Sequence, residues 1–515
     1  MLRLRADLPG LALDANSRLP LNRQLYERFR ELILTGQLRA SSQLPSSREL
    51  AHLLGISRNT VLNALDQLVA EGFLQGKVGA GTFVSELPAE LLSQRRRSEA
   101  APQKAALSWE AQRDLGYFSV PAPANIRPFW TGVPALDKFP RATWARLMAR
   151  RCRDAHASQL HYGDPTGDSR LRGLIAQYLR EFRGLRCDAE QVVIVSGSQQ
   201  ALYLIARVLL NKGDRVYIEE PSYPGARRAL AAGGAELIPV EVDAQGLQVR
   251  AIGREREAKA VYITPSHQCP LGVTMTLARR LELLNWSAES GAWIIEDDFD
   301  SEYRYASRPL SSLQGLDPAG QVLYVGTFSK VMFPALRIGY LVLPERLVRA
   351  FSRARHVMDF CPAYLSQAAL ADFIEEGHFV RHIRRMRRIH QERQQIMIEE
   401  IRREFGETVE LANTESGLNL VMWLPPGIED VEVQRVAWKA EVFTFPMSSI
   451  FYTTSAARSG LFLGFAGLTR PQIRGGVREL KKVIASMRKP PPVSLKPQRS
   501  GVDLKYFART GAGPE

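Results

Sequence analysis

Residues 324–340 read YVGTFSKVMFPALRIGY, and a single lysine stands there among small hydroxyl residues. Thr327 and Ser329 precede Lys330, and Arg337 follows seven positions after the lysine. Hydroxyl and guanidinium groups are donors that suit phosphate oxygens, and a lysine amine can condense with a carbonyl group. The stretch therefore predicts a site for a phosphorylated carbonyl ligand.

Strand-like runs alternate with helical patterns on both sides of this stretch, from about residue 119 to residue 488. The runs are QVVIVSG, DRVYIEE, AVYITPS, AWIIEDD, VLYVGTF and GYLVLP. Such alternation is typical of an α/β domain with a largely parallel sheet. Ligands bind at the carboxyl ends of such strands, so we expect the residues that follow several of these runs to share one site.

Two segments carry groups that suit the ring of an aldehyde cofactor. WIIEDDFDSEYRY places Asp297 at the end of an apolar strand, and a pyridine nitrogen needs such a carboxylate if the ring is to accept electrons. EEPSYPGARRAL supplies Tyr223, a flat side chain available for stacking, although a packing tyrosine is an equal alternative. A divalent-metal cluster or a solvated loop is the alternative for the acids Glu296, Asp297, Asp298 and Asp300, and only the combination with Lys330 favours the cofactor.

A phosphate-binding cup is predicted from two distant segments. VIVSGSQQAL offers a strand, a tight turn at Gly197 and then a helix that begins near Ser198. Free backbone N–H groups at that helix start would face an anion. Together with Thr327, Ser329 and Arg337, they would surround a phosphate group.

The segment LPSSRELAHLLGISRNTVLNALDQLVAEGFL, residues 44–74, contains two helical patterns broken by Gly55. This spacing is typical of a helix-turn-helix. Ser57 is a suitable N-cap, so the second helix would begin with polar residues exposed and an apolar face turned inward. The exposed residues are Arg58, Asn59 and Thr60, and the inward ones are Val61, Leu65 and Leu68.

The run QGKVGAGTFV, residues 75–84, predicts a β-hairpin wing. Gly81 lets the turn approach a DNA backbone closely, and Lys77 adds positive charge. Residues 12–86 are thus predicted to form a small α+β DNA-binding domain. The alternative is a helical protein-interaction domain, because residues 1–84 carry only ten Lys and Arg against seven Asp and Glu.

Length and composition limit the number of domains, the class of partner and the expected location of the protein. A chain of 515 residues exceeds one ordinary core, and a formal charge of +14 favours an anionic partner such as nucleic acid over a membrane. Four scattered cysteines predict neither a disulfide framework nor a metal site, and with no signal peptide the expected location is cytoplasmic. Residues 87–118 are predicted to be a linker, and residues 489–515 a disordered tail.

The motifs resemble two known families. LPSSRELA, GISRNTV, EGFL and GAGTFV are similar to the winged helix-turn-helix of GntR-type bacterial regulators, with Leu65 where that family often has tyrosine. Residues 119–488 resemble fold-type I pyridoxal phosphate enzymes, whose mostly parallel α/β sheet carries a small C-terminal α/β subdomain. The combination resembles the MocR/GabR subfamily of bacterial transcriptional regulators.

This resemblance implies roles for individual residues. Lys330 becomes the Schiff-base lysine, Asp297 the partner of the pyridine nitrogen, and Tyr223 the stacking residue. Tyr162 would reach the phosphate of a neighbouring subunit, which implies a homodimer. The implied phosphate ligands are Gly197, Ser198, Gln199, Thr327, Ser329 and Arg337. The DNA-contact positions are Arg48, Ser57, Arg58, Asn59, Thr60, Lys77 and Gly81.

Three departures from the enzyme pattern bear on the chemistry. Phe299 stands where relatives commonly have a tyrosine donor, and Cys269 replaces the asparagine of the NPTG turn, although His267 or Gln268 is an alternative donor. Phe462 occupies the position of an arginine that binds the substrate α-carboxylate, for which Arg458 is a candidate substitute. Without that clamp the expectation of efficient transamination is weakened.

The sequence therefore predicts a DNA-binding transcriptional regulator that holds pyridoxal phosphate. Its partners would be double-stranded operator DNA and a small amine or amino acid, with pyridoxal phosphate itself as another possible effector. An aminotransferase with an accessory DNA-binding domain is one alternative. A regulator whose large domain is an inert dimerisation scaffold is the other.

Overall fold

A computed structural model describes residues 11, 13–77, 80–86, 127–253, 258–305, 310–453 and 457–487. The chain divides into two compact units, Met1–Tyr117 and Phe118–Glu515. The predicted linker of residues 87–118 and the predicted tail of residues 489–515 lie outside the described residues.

The N-terminal unit is built on three helices and a two-stranded antiparallel sheet. Ser46 caps the second helix through a capping box with Glu49, and Gly55 ends it in the left-handed conformation at φ 64°. The elements are α1 (Leu21–Leu34), α2 (Ser47–Leu54), α3 (Arg58–Ala70), β1 (Leu74–Lys77) and β2 (Gly81–Val84).

The core of this unit lies where the apolar spacing places it. Val61, Leu65 and Leu68 on α3 are buried, together with Leu25 and Phe29 on α1. These side chains belong to one cluster that also takes in β1 and β2. The predicted winged helix-turn-helix is therefore confirmed, including the inward face of its second helix.

The large unit begins with a mainly parallel sheet of eight strands in the order β3-β10-β9-β8-β7-β4-β5-β6. The central pairs are parallel, whereas β10 runs antiparallel to both of its neighbours, and β6 is an antiparallel edge. The strands are β3 (Val192–Val195), β4 (Arg215–Glu220), β5 (Glu236–Asp243), β6 (Gly246–Leu247), β7 (Ala258–Ile263), β8 (Trp293–Asp298), β9 (Val322–Thr327) and β10 (Gly339–Val342).

Helices cover this sheet and bury strands that are apolar on both faces. Val193 and Ile194 on neighbouring positions of β3, for example, pack into different clusters on the two sides of the sheet. The helices of this part are α4 (Arg141–Asp154), α5 (Ser169–Arg183), α6 (Ser198–Leu209), α7 (Pro224–Ala232), α8 (Leu277–Ser290), α9 (Glu345–Asp359) and α10 (Tyr364–Glu375).

A smaller C-terminal subdomain follows the long helix α11 (His378–Phe405). Its four-stranded antiparallel sheet has the order β11-β12-β14-β13, and Leu461 and Leu463 of β14 point into the main core. The remaining elements are β11 (Glu410–Ala412), β12 (Asn419–Trp423), α12 (Asp430–Lys439), β13 (Phe445–Pro446), β14 (Gly460–Gly464) and α13 (Arg470–Met487). Both predicted parts of the large domain are thus present.

No helix in the described ranges is long and apolar enough to cross a bilayer. The four cysteines, all in described parts of the chain, are free.

Candidate functional site

Lys330 lies in the turn after β9, at the carboxyl end of the sheet, where the sequence places it. Its Nζ donates a hydrogen bond of 3.0 Å to the carbonyl oxygen of Gly132. Gly132 has φ +70°, and a Cβ there would lie 2.3 Å from that Nζ, so the position requires glycine. Burial lowers the pKa of the Lys330 amine, while Asp300, Cys269 and Asp297 act in the opposite direction. A lowered pKa favours the neutral, nucleophilic amine.

Asp297, at the end of β8, is buried with one oxygen satisfied and one not. Its Oδ2 accepts a hydrogen bond of 2.8 Å from the Tyr262 hydroxyl, and its Oδ1 has no partner among the described residues. Burial raises the pKa of Asp297 to about 7. A buried oxygen of this kind costs free energy until a donor reaches it, and a protonated ring nitrogen is such a donor.

The other three acids of the cluster each have a separate role. Glu296 accepts from the backbone N–H groups of Leu313 and Gln314 at 2.8 and 2.9 Å. Asp298 pairs with the buried guanidinium of Arg183 at 2.6 Å. Asp300 binds His267. In the described parts of the chain no group of three or more His, Cys, Asp or Glu residues could hold a metal ion, so the metal-cluster alternative has no support.

The two segments predicted to bind phosphate lie side by side. Gly197 is the N-cap of α6 with φ +87°, and a Cβ there would lie 2.9 Å from the Arg337 guanidinium. Arg337 donates from Nη2 to the carbonyl oxygen of Ser196 at 2.5 Å. Ser198 and Gln199 begin α6, so their backbone N–H groups stand at the helix N-terminus. The structure therefore joins the helix start to the segment that carries Lys330.

The hydroxyl groups next to Lys330 are placed to serve the same anion. Thr327 is the last residue of β9, and its Oγ1 accepts a hydrogen bond of 3.2 Å from the Ser329 backbone N–H. The Oγ atom of Ser329 is buried and lacks a hydrogen-bond partner within the described ranges. A second unsatisfied polar atom thus lies one residue from Lys330, which fits a phosphorylated cofactor.

Tyr223 caps α7 at the end of β4 and is half-buried. Burial raises its pKa to about 12, with the charge of Asp297 as the next cause. Gln199 reaches the same segment, because its Nε2 donates to the carbonyl oxygen of Gly225 at 3.0 Å. Tyr162 stands apart on the surface, where its ring is 73% exposed and stacks on Phe360 at 5.3 Å.

The two alternative donors named for the missing tyrosine and asparagine are already engaged. His267 contacts Asp300 through Nδ1 and Asn413 through Nε2, and its ring stacks on Phe299 at 5.6 Å. The Gln268 amide donates to the carbonyl oxygen of Pro221 at 2.7 Å. Neither side chain is therefore free to replace the lost donors in this state, and burial raises the pKa of the Cys269 thiol, which keeps it neutral.

Arg458 does not take the place of the missing carboxylate-binding arginine. Phe462 pairs with Val421 in the middle of the small sheet, two pairs away from Asn419, whose side chain binds Gly132. Arg458 instead lies over the ring of Trp423 at 4.5 Å and pairs with Glu410. Trp423 is four residues from Asn419 along β12, about 13 Å in a strand, so the suggested substitution by Arg458 is wrong.

The predicted DNA-contact residues cluster at the start of α3. Ser57 Oγ accepts a hydrogen bond of 3.1 Å from the Thr60 backbone N–H, so the N-cap prediction is confirmed. Arg58 and Asn59 are exposed, and Arg58 Nε donates to Ser47 Oγ at 3.3 Å. Arg48 is exposed on α2. Helix starts with exposed donors are suited to phosphate and base edges.

The wing presents the remaining two candidates. Lys77 is exposed at the end of β1, with its amine 5.3 Å from the centre of the Phe83 ring. Gly81 begins β2 at φ +104°, and a Cβ there would lie 2.8 Å from the Gln43 amide nitrogen. The two residues form the last pair of the hairpin, next to its turn.

Three residues of the large site were not identified from the sequence. Gly132 holds the Lys330 amine, Asn419 holds Gly132, and Tyr262 holds Asp297. Only Tyr262 left a signal, because it lies on the AVYITPS strand that pairs with the acidic strand. The other two come from loops and strands far away in the chain.

The fold and site define a protein in which a DNA-binding unit is joined to an aminotransferase-like unit. Residues 3–84 match "Bacterial regulatory proteins, gntR family", and residues 131–480 match "Aminotransferase class I and II". The chain therefore belongs to the MocR-type transcriptional regulators, in which these two domains occur together.

Individual relatives agree with this assignment. The chain is 39% identical to the probable rhizopine catabolism regulatory protein MocR of Rhizobium meliloti, over 93% of this chain and 96% of that protein. It is 31% identical to the pyridoxine biosynthesis transcriptional regulator PdxR of Corynebacterium glutamicum, over 93% and 99%. A kynurenine aminotransferase structure from Pyrococcus horikoshii matches with TM-score 0.66 and 28% identity, over 75% of this chain and 96% of that one.

Membership of the aminotransferase family indicates pyridoxal phosphate as the cofactor of the large unit. The residues present fit this group, because the unpartnered oxygens of Asp297 and Ser329 in the described structure match a ring nitrogen and a phosphate. The predicted family, fold class and cofactor are confirmed.

Proposed function

We propose that the large unit of this regulator senses a small primary amine at Lys330 and transmits its occupancy to the DNA-binding unit. The observation that carries the proposal is the presence, in one site, of a half-buried amine bound to Gly132 and a buried carboxylate whose Oδ1 lacks a partner in the described residues. An inert scaffold would have no reason to keep such groups buried, because burial of unsatisfied polar atoms destabilises a fold.

The residues of the site have distinct tasks under this proposal. When bound, pyridoxal phosphate supplies a carbonyl carbon that primary amines attack and a ring that accepts electrons. Lys330 would provide the competing amine of the protein, Asp297 would hold a proton at the ring nitrogen, and Tyr262 fixes the Asp297 carboxyl group by its hydrogen bond. Tyr223 would cover one face of the ring.

The phosphate would be held by the helix start and the segment that follows β9. Backbone N–H groups of Ser198 and Gln199 supply neutral donors at the positive end of α6. Ser329 Oγ and the Arg337 guanidinium add a hydroxyl donor and a charge. Thr327 completes this set of proposed ligands.

We further propose that the protein acts as a homodimer through an exposed apolar patch of Tyr162, Val357 and Phe360. These side chains are 73%, 85% and 54% exposed, which is unusual for large apolar residues grouped on one surface. A closed two-fold dimer would bury the same patch on both chains. A Val357→Asp variant should then run as a monomer in multi-angle light scattering, and an unchanged dimer mass would place the interface elsewhere.

The sensing proposal is tested by measuring binding of fluorescent DNA to the full chain. DNA selected for tight binding from a random pool is titrated with protein, with and without pyridoxal phosphate and a panel of primary amines. We expect at least one amine to change the apparent Kd of the wild type and to leave that of Lys330→Ala unchanged. An equal response in both proteins would contradict sensing through Lys330, and rapid conversion of the amine to a carbonyl product would favour the aminotransferase alternative.

A further inference from the structure

A continuous chain of hydrogen bonds, here called the polar chain, leads from Lys330 to a second buried acid. Lys330 donates to Gly132, and the Gly132 N–H donates to Asn419 Oδ1 at 2.8 Å. The Asn413 side-chain amide then donates to the Asn419 carbonyl oxygen at 3.0 Å, and Asn413 Oδ1 accepts a hydrogen bond of 2.7 Å from His267 Nε2. His267 Nδ1 ends the chain on Asp300 Oδ1 at 2.5 Å.

The polar chain fixes the position of one proton on His267. Asn413 uses its NH₂ group on the Asn419 carbonyl, so its oxygen faces His267 and can only accept. Nε2 of His267 therefore carries a proton and donates to Asn413, and Nδ1 shares its hydrogen bond with Asp300. In agreement, the pKa of His267 is raised, because the attraction of Asp300 and the hydrogen bonds outweigh the effect of burial.

Asp300 has a second oxygen that needs a donor. It is 1% exposed, and its Oδ2 has no hydrogen-bond partner among the residues described. Asp300 also lies close to the Lys330 segment, because the Tyr303 N–H donates to the Asp300 carbonyl and the Tyr303 hydroxyl reaches the Lys330 carbonyl at 3.4 Å. Asp300 is also the first of the charges that act on the Lys330 amine, so an acceptor that no described protein group satisfies belongs to a residue within electrostatic reach of that amine.

Apolar side chains lie on β12, the strand that carries Asn419, and on its neighbour β14. Phe462 is paired with Val421 and packs, with Leu271 of the CPLG turn, against one small cluster, and these three residues are here called the apolar wall. Trp130, two residues before Gly132, extends the aromatic surface through Phe445 at 5.6 Å. Arg458 lies at the far end of the same sheet.

From these features we infer that the amine sensed by this site carries no α-carboxylate and presents a hydroxyl or ammonium donor to Asp300 Oδ2. This inference rests on the proposed function and names the ligand class for the same site. A hydroxyl or ammonium group satisfies the free oxygen of Asp300, whereas a carboxylate offers no donor and repels it. A carboxylate next to the apolar wall would in addition lose its hydration without gaining an opposite charge or a hydrogen bond, which costs free energy.

The test compares amines that differ only in the carboxylate. Wild-type protein loaded with pyridoxal phosphate is titrated with serine against serinol, and with glycine against ethanolamine and ethylenediamine, while the visible absorption is recorded. We expect the carboxylate-free member to produce the half-maximal change at a concentration at least about tenfold lower, since a hydrogen bond to a charged group is at stake.

Two variants assign the preference to its cause. Asp300→Asn keeps an oxygen for His267 and replaces Oδ2 by a donor, so the preference for serinol should shrink or reverse. Phe462→Arg should strengthen serine binding by about tenfold and leave serinol little changed. Arg458→Ala is the control and should alter neither ligand, and thermal melting of each variant checks that it is folded.

The outcomes separate this inference from the proposed function. If the wild type shows no Lys330-dependent absorption band, the proposed function fails and the inference falls with it. A Lys330-dependent band that serine shifts as readily as serinol leaves sensing intact and overturns only the ligand class. An unchanged serinol preference in folded Asp300→Asn would overturn the role of Asp300.

Discussion

The two candidate binding regions, the start of α3 and the surroundings of Lys330, differ in how far their polar residues are buried. At the start of α3, Ser57, Arg58 and Asn59 are exposed, and the hydrogen bonds there join Ser57 to Thr60 and Arg58 to Ser47 within the same motif. Around Lys330 the acids are buried, and the contacts come from distant residues: Tyr262 binds Asp297, and Gly132, held by Asn419, binds the amine. The first region offers exposed donors that can bind a large partner directly. The second contains buried polar atoms without hydrogen-bond partners in the described residues, which a small ligand could satisfy.

This difference implies that the two regions can be disabled separately. Exposed charges contribute little to folding, so their loss should affect DNA binding alone. Buried charges affect both ligand binding and stability, and the sign of each effect depends on the partner. Four predictions make use of this contrast.

The largest effect is expected from Lys330→Ala. Without the amine, no lysine-dependent visible band should form on addition of pyridoxal phosphate, while the melting temperature changes little or rises, because a buried amine with a lowered pKa is removed. Absorption spectroscopy and differential scanning calorimetry measure the two properties. A band that survives in the variant would show that another amine holds the cofactor and would remove Lys330 from the comparison.

The second prediction concerns the exposed region. Replacing Arg58 and Thr60 together by alanine should weaken DNA binding by about a hundredfold or more, because each contact contributes roughly 1–3 kcal/mol. The visible band and the dimer mass should stay as in the wild type. Arg58→Lys is the matched control, which keeps the charge but loses the bidentate fork and should show an intermediate loss in fluorescence anisotropy. Wild-type affinity in the double variant would place the DNA interface elsewhere.

Asp297→Asn should separate stability from ligand binding. The carboxyl has an ordinary pKa of 3.8, raised on folding to about 7, so the folded state binds more protons between these values. The resulting destabilisation is absent below pH 3.8 and complete above pH 7. At pH 8 the ligand-free variant should therefore be more stable, by up to about 4 kcal/mol, yet bind pyridoxal phosphate more weakly.

The neighbouring Asp298→Asn variant is the control for that measurement. Asp298 is paired with buried Arg183, so removal of its charge should destabilise the fold by about 3 kcal/mol. Urea unfolding at pH 5 and pH 8 measures both variants. A loss of stability at pH 8 in Asp297→Asn would mean that the Asp297 carboxylate already has a stabilising partner without a ligand.

The smallest effect is expected at Gly132. Alanine there meets Lys330 Nζ at 2.3 Å in addition to the strain of φ +70°, whereas Gly213 has φ +87° and open space around it. Gly213→Ala should cost about 1 kcal/mol, and Gly132→Ala more than that, with the amine displaced and pyridoxal phosphate bound more slowly. Stopped-flow absorption and thermal melting compare the two. Equal behaviour would show that the Lys330 amine moves freely.

The same contrast explains what the sequence could reveal. The N-terminal unit was predicted to the level of its N-cap because its signals, such as Ser57 and Gly55, lie within one contiguous segment. Lys330 and the strand-end acids were found because they follow apolar strands in a parallel sheet. Gly132 and Asn419 could not be found, since only the folded chain brings them together.

The errors have a physical cause as well. Arg458 was a reasonable substitute by sequence distance, but strand direction carries it to the Trp423 end of β12, away from Asn419. His267 seemed available as a donor, yet both of its nitrogens are used within the polar chain. The distance between two residues in the sequence does not reveal at which end of a strand each side chain lies in the fold.

Phe462 has a further consequence for how such a regulator gathers information. An enzyme that binds and converts its substrate lowers the concentration of the molecule that a sensor would have to detect. With an aromatic ring in place of that grip, the ligand would depart in the form in which it arrived. On the proposed function, the protein would then report how much signal is present in its surroundings without diminishing it.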